Sequence, residues 1–223
     1  MLNLGRGEFI TAVKTQPKPL IIPLCAELPL PDISPLDVYE GTREGCGFLL
    51  ESMEGSEKLA RYSFIGINPE MVVTMGDTVD VQGNDPFVSI ARDPEGDNPV
   101  ERIKSILSRF HYMNVKAPRF FGGMVGYFAY DCVYSLFEKV RSKEKRRPES
   151  RSNHDACFML TKDCIIIDHR DQKLYIFSSP FLTYDSDLME EYNKSVTKIR
   201  TLASRITSLG QKTRMSTRHT RNR

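Results

Sequence analysis

The sequence predicts a chain of antiparallel β-hairpins and amphipathic helices, and three observations predict it. Residues 48–67 hold two β-prone runs joined by a charged connector, the pattern of a hairpin with a long loop. Residues 70–75 and 78–81 form a second hairpin pattern turning at Gly76-Asp77, and residues 157–178 read as a meander turning at Lys162-Asp163 and Arg170-Asp171. From Asp187 onward Leu188, Tyr192, Val196, Ile199, Leu202, Ala203 and Ile206 recur at the spacing of one helical face.

Taken in order, residues 8–14 have helical spacing through Phe9, Ile10 and Val13, and Pro17 and Pro19 end the run. Residues 20–27 are β-prone but interrupted by Pro23, which places them at a sheet edge or a bulge. Ser34 followed by Pro35 is a helix cap before a first-turn proline, so residues 36–43 are expected to be helical. Residues 83–99 are rich in Gly, Pro, Asp and Asn and read as a loop, with a short strand at 87–90. Asn98-Pro99 opens a helix whose Val100, Ile103, Ile106, Leu107 and Phe110 share a face. The long final helix is expected to stop near Gly210, leaving a basic, polar tail at 210–223 with no apolar stripe and the composition of a disordered segment. The domain expectation is a short helical segment at 1–19, one domain at 20–209, and that tail.

Composition excludes several function classes. The 223 residues carry 31 basic and 29 acidic side chains, a net charge of +2, so no overall field draws nucleic acid or a membrane surface. The basic run at 139–151 has no interleaved aromatic residues and reads as a solvated connection, not as a stacking platform for nucleic acid. No stretch approaches the ~20 apolar residues of a membrane span, and the N-terminus lacks the apolar core of a secretory signal. Cys25, Cys46, Cys132, Cys157 and Cys164 are widely spaced, which excludes a C-x-x-C zinc pattern and suits a reducing, cytoplasmic setting. His154 and His169 have no partner at metal-ligand spacing and read as structural. Gly122, Gly123 and Gly126 have neither the spacing of a dinucleotide fingerprint nor a following Walker lysine, so they are expected to mark close backbone approach or a bend.

The remaining chemistry lies at Glu51-Ser52, a carboxylate and a hydroxyl at the end of the first hairpin strand. Such a pair can hold the ammonium and amide groups of a small polar ligand, or simply end a strand in solvent. Here the sequence resembles a known family. Leu49-Leu50-Glu51-Ser52 followed by Arg61-Tyr62-Ser63-Phe64-Ile65-Gly66 is similar to the N-terminal region of anthranilate synthase component I. Gly122-Gly123-Met124-Val125-Gly126-Tyr127 with Tyr130-Asp131, and the Phe158-Met159-Leu160 and Ile165-Ile166-Ile167-Asp168-His169 strands, resemble the same family, so the likeness covers roughly residues 20–182.

The resemblance implies an α+β fold with antiparallel sheets packed orthogonally and helices outside. It implies that the 122–131 element is a central strand running into a helix, and that Glu51 and Ser52, with Arg61 nearby, bind L-tryptophan as feedback inhibitor. It also implies a glutamine amidotransferase partner. The family's chorismate and magnesium site belongs to a C-terminal half whose elements are not found in this sequence. The chain is therefore expected to be the regulatory half alone, with no cofactor of its own, to be inactive by itself, and to leave sheet edges and an apolar interface exposed. The related aminodeoxychorismate synthase component I, or a ligand-free interaction domain, are the alternative readings.

Overall fold

The computed structural model describes residues 2–51, 61–115, 120–137 and 154–221. They form two compact units, one made of Met1–Pro69, His111–Gly123 and Thr161–Arg223, the other of Glu70–Phe110 and Met124–Leu160. Both combine antiparallel sheets with helices, so the α+β class read from the sequence holds.

The first unit is built on a five-stranded antiparallel sheet. Its order is β2 (Leu24–Pro29), β11 (Lys173–Ser178), β10 (Asp163–Asp168), β4 (Tyr62–Ile67) and β3 (Gly47–Leu50). The expected hairpin of β3 and β4 is present, pairing Gly47 with Ile67 and Leu50 with Phe64. Pro23 separates β2 from β1 (Leu20–Ile21), and β2 lies at the sheet edge, as a strand next to proline should. Strand β1 instead joins β12 (Phe181–Leu182) antiparallel and β7 (His111–Tyr112) parallel.

One face of the five-stranded sheet is covered by α1 (Arg6–Lys14), α2 (Pro35–Thr42) and α6 (Leu188–Arg221). Alternation along the strands sends Ile65, Ile67, Ile165, Ile167, Leu174 and Ile176 to that face, against Phe9, Val13, Val38 and the Val196, Ile199, Leu202 and Ile206 stripe of α6. Burying each such side chain contributes about 1.5–3 kcal/mol. The caps follow the sequence: Ser34 Oγ accepts from Asp37 N at 3.1 Å, and Pro35 opens α2. Helix α6 does not stop at Gly210. That glycine is buried, and a Cβ on it would lie 2.9 Å from Pro31 Cβ, so it provides close packing and does not terminate the helix. The backbone stays helical through to Arg221, across the segment expected to be a disordered tail.

The second unit holds a four-stranded sheet ordered β6 (Val79–Gly83), β5 (Met71–Met75), β9 (Ala156–Thr161) and β8 (Gly123–Phe128). The meander expected over 157–178 is only half present. Strand β9 pairs with β5, not with β10, because only Lys162 separates β9 from β10 and one residue cannot close a hairpin. The expected strand at 87–90 is helix α3 (Phe87–Ala91). Asp85 Oδ1 accepts from Ser89 Oγ at 2.6 Å and Ser89 N at 3.3 Å, which turns the backbone into a helix despite its β-branched composition. Asn98 caps α4 (Pro99–Ser108), accepting from Glu101 N at 3.1 Å. The resemblance implied a central strand here, but among the described residues β8 is an end strand of this sheet. It is followed by a 3-10 turn at Tyr130–Cys132 and α5 (Val133–Leu136).

Gly126 shows why glycine sits in β8. A Cβ there would lie 2.0 Å from Cys157 O and 2.6 Å from Phe158 Cα, so close backbone approach explains it. Cys25, Cys132 and Cys164 are buried, whereas Cys46 is exposed. Among the described residues no helix is long and apolar enough to cross a membrane.

Candidate functional site: the aromatic face and its arginine

The second face of the five-stranded sheet is aromatic. The same alternation that gives isoleucines to the helices sends Tyr62, Phe64, Tyr175 and Phe177 the other way, with Cys25, Cys164 and Ile166. Phe120 and Phe121 lie against this face. Phe120 meets Phe64 edge-on with ring centroids 5.9 Å apart, and Phe121 stacks on Phe177 at 5.8 Å. Tyr62, Phe64 and Tyr175 remain half-buried, and Leu50 at the end of β3 is exposed. The surface is therefore flat, apolar and partly open.

Arg61 marks one end of it. Its Nη2 donates to Asp168 Oδ2 at 2.6 Å and to Asp171 Oδ2 at 2.7 Å, and its Nε donates to both Asp168 oxygens at 3.1 Å. The guanidinium lies 4.8 Å from the centre of the Tyr62 ring, within range of a cation–π contact. Asp168, which is 1% exposed, ends β10 directly opposite Tyr62. Its Oδ1 also accepts from the backbone N–H groups of Arg170 and Asp171, both at 3.1 Å. Burial pushes the Asp168 carboxyl up, but the bonds from Arg61 and from those backbone groups outweigh it and hold the group below the usual carboxylate range. Bonding to Asp168 raises the Arg61 pKa in return. Burial pushes the Cys25 and Cys164 thiols up to about 12.

The predicted site residues are placed as follows. Glu51 is exposed, one residue beyond Leu50. Ser52 lies outside the described residues. Arg61 is engaged with Asp168 and Asp171. Glu51 and Arg61 thus stand at the two feet of the connector 52–60. Sequence reasoning missed Asp168 and Asp171. They were visible only as residues at a strand end and a turn, and only the Tyr62–Asp168 register brings them to Arg61.

Ser63 Oγ lies 2.7 Å from His169 Nε2, the spacing of a nucleophile and its base. Ser63 is fully buried on the helix face of the sheet, so no substrate reaches it and the pair ties β4 to the end of β10. Among the described residues no group of three or more His, Cys, Asp or Glu side chains is placed to hold a metal. What remains is a planar apolar surface with a paired ion cluster at its rim, Arg61 between Asp168 and Asp171.

The fold is that of an α+β domain, with helices on one sheet face and an aromatic surface on the other. By sequence, the chain belongs to the anthranilate synthase component I family. It is 36% identical over 199 residues to anthranilate synthase component 1 of Acetivibrio thermocellus, covering 86% of this chain and 38% of that protein. It is 29% identical over 226 residues to the Haloferax volcanii protein of the same name, covering 92% and 42%. The chloroplastic anthranilate synthase alpha subunit 2 of Arabidopsis thaliana is 28% identical over 216 residues, covering 92% and 34%. The chain thus spans about two fifths or less of the length of these relatives, a fraction between 34% and 42%. A crystal structure of anthranilate synthase component I from Streptococcus pneumoniae aligns with a TM-score of 0.38 at 19% identity, over 75% of this chain and 35% of that one. No family model matches.

Proposed function

We propose that this chain is the tryptophan-sensing, regulatory part of an anthranilate synthase component I. The observation that carries the reading is Arg61, locked by Asp168 at the rim of the aromatic face and at the foot of the connector that begins with Ser52. In this reading Glu51 and Ser52 accept the tryptophan ammonium, Arg61, held by Asp168 and Asp171, fixes the other foot of the connector beside the ligand, and the indole lies on the apolar surface. The chemistry belongs to a chorismate- and magnesium-binding region acting with this one, where chorismate and glutamine or ammonia become anthranilate and pyruvate. A glutamine amidotransferase supplies the ammonia, and the assembly works in the cytoplasm.

The test is reconstitution. The chain is produced together with the remaining region of a related component I, and anthranilate formation is followed fluorimetrically while tryptophan is titrated. Ser52→Phe should leave turnover in place and relieve inhibition at least tenfold. If that variant stays as tryptophan-sensitive as the unaltered protein, the site assignment is wrong. In isolation the chain should bind tryptophan weakly or not at all, because the catalytic region is expected to complete the apolar wall. Micromolar affinity by calorimetry on the isolated chain would contradict that.

A further inference from the structure

The aromatic face is closed at one end and open at the other, and Phe120 stands on the boundary. Behind it Phe48 is 8% exposed, its ring lying over Gly66, where a Cβ would come within 2.0 Å of that ring. Phe177 is fully buried under Phe121. In front of Phe120, Tyr62 and Phe64 are half-buried and Leu50 is 47% exposed. Four rings run in series across this boundary: the centroids of Tyr62 and Phe64 are 5.9 Å apart, those of Phe64 and Phe120 5.9 Å, and those of Phe120 and Phe48 6.3 Å. Phe120 and Phe121 both face the same sheet, which successive residues of an extended chain do not do. The backbone leaves them through Gly122 and Gly123, at φ of 141° and 124°, a region that favours glycine.

Strand register brings Phe120 close to the expected ligand contacts. Leu50 pairs with Phe64, the ring that Phe120 meets edge-on, and Glu51 is the residue after Leu50. A third ring placed between Phe64 and Phe120 would need roughly 7 Å, two carbon–carbon contact distances. The 5.9 Å between them leaves no room for it. A ring held from Glu51 therefore lies in front of Phe120, over Tyr62 and Phe64, with its far end toward the Phe120 ring.

We infer that Phe120 is a specificity-determining residue of this site, the wall that sets how long an aromatic side chain the open half of the face can hold. The inference rests on the proposed tryptophan site and adds a size limit to it. Indole is admitted, and a further ring on the end remote from the amino-acid group collides with Phe120.

The test uses the reconstituted assembly, inhibited either by L-tryptophan or by a tryptophan bearing a benzyloxy group on its benzene ring. In the unaltered protein the bulkier analogue should inhibit roughly tenfold more weakly or worse, the scale on which apolar sites discriminate by size. Phe120→Ala should weaken inhibition by L-tryptophan and bring the two compounds within about threefold of each other. Phe120→Leu, which keeps an apolar contact should the alanine variant fail to assemble, should move the ratio the same way by a smaller factor. A ratio unchanged by these substitutions overturns the inference, as does an analogue that inhibits the unaltered protein as well as L-tryptophan does. Ser52→Phe separates this failure from that of the site. Where it relieves inhibition while the Phe120 variants keep the ratio, only the size limit is wrong. Where neither position affects inhibition, the site is misplaced and the size limit falls with it.

Discussion

Asp168 is the residue on which the candidate site depends, and the sequence did not point to it. The resemblance singled out Glu51, Ser52 and Arg61, whereas the partner of Arg61 lies more than a hundred residues away and becomes visible only through strand register. Because the folded pKa of Asp168 is depressed, its stabilising contribution is present above the ordinary carboxylate range and is lost as pH falls through the folded value. Urea midpoints should therefore drop as pH is lowered below about 4. Asp168→Asn should cost about 2–3 kcal/mol at neutral pH, by leaving Arg61 without its two-oxygen partner, and should flatten that acid limb. An unchanged acid limb in the variant would assign the pH dependence to other carboxylates. The thiols give a second residue-scale prediction. With Cys25 and Cys164 buried and pushed up to about 12, neither should react with a thiol reagent at pH 8 before unfolding, while exposed Cys46 should react at once.

At the scale of elements, local signals were legible wherever one side chain decides the backbone. Ser34-Pro35 and Asn98-Pro99 announce α2 and α4, and both caps are made as read. The β3–β4 hairpin follows from two apolar runs. Readings failed where a distant partner overrides the local pattern. Strand β9 looks like the first strand of a meander but pairs with β5, and Gly210 looks like a helix stop but packs on Pro31. The β-branched run at 87–90 yields instead to a local contact, the Asp85–Ser89 cap, which outweighs strand propensity. Of the glycines at 122–126, Gly126 is a position of close backbone approach, as expected, whereas Gly122 and Gly123 adopt positive φ, and the packing at Gly126 can be measured. Gly126→Ala drives a methyl into Cys157 O and Phe158 Cα, both backbone. It should cost about 2–4 kcal/mol, in the range of overpacked interiors. Amide hydrogen exchange should show lost protection in β8 and β9 but not in β10 or β11, since those strands belong to the other sheet. Uniform loss throughout would mean that the two units unfold together.

For the whole molecule, the decisive feature is how its sheet edges are treated. Along the outer edge of β2, Leu2 bridges to Ala26, and Asn3 exchanges hydrogen bonds with Cys25 and donates from its side chain to Pro23 O, so that edge is covered. The end strand β6 carries Asp80 and Gln82, polar residues that discourage further pairing. Among the described residues strand β8 has neither device. It contains no charged residue, Tyr127 and Phe128 are 54% and 43% exposed, and exposed Tyr130, Leu136 and Phe137 follow. Nothing local in the sequence distinguishes this edge from the others, because a strand's place in its sheet is set by partners far along the chain. A net charge of +2 over 223 residues gives little repulsion to keep copies apart. Antiparallel pairing of β8 with a second β8 would satisfy backbone donors and acceptors symmetrically. The isolated chain should therefore self-associate, its mass by light scattering rising with concentration through the micromolar range. Tyr127→Lys places a charge on the exposed strand and should shift the population toward monomer, whereas Asp80→Lys on the already polar β6 should not. A chain that stays monomeric at all concentrations and unfolds in one sharp transition would show that β8 is shielded within the chain itself.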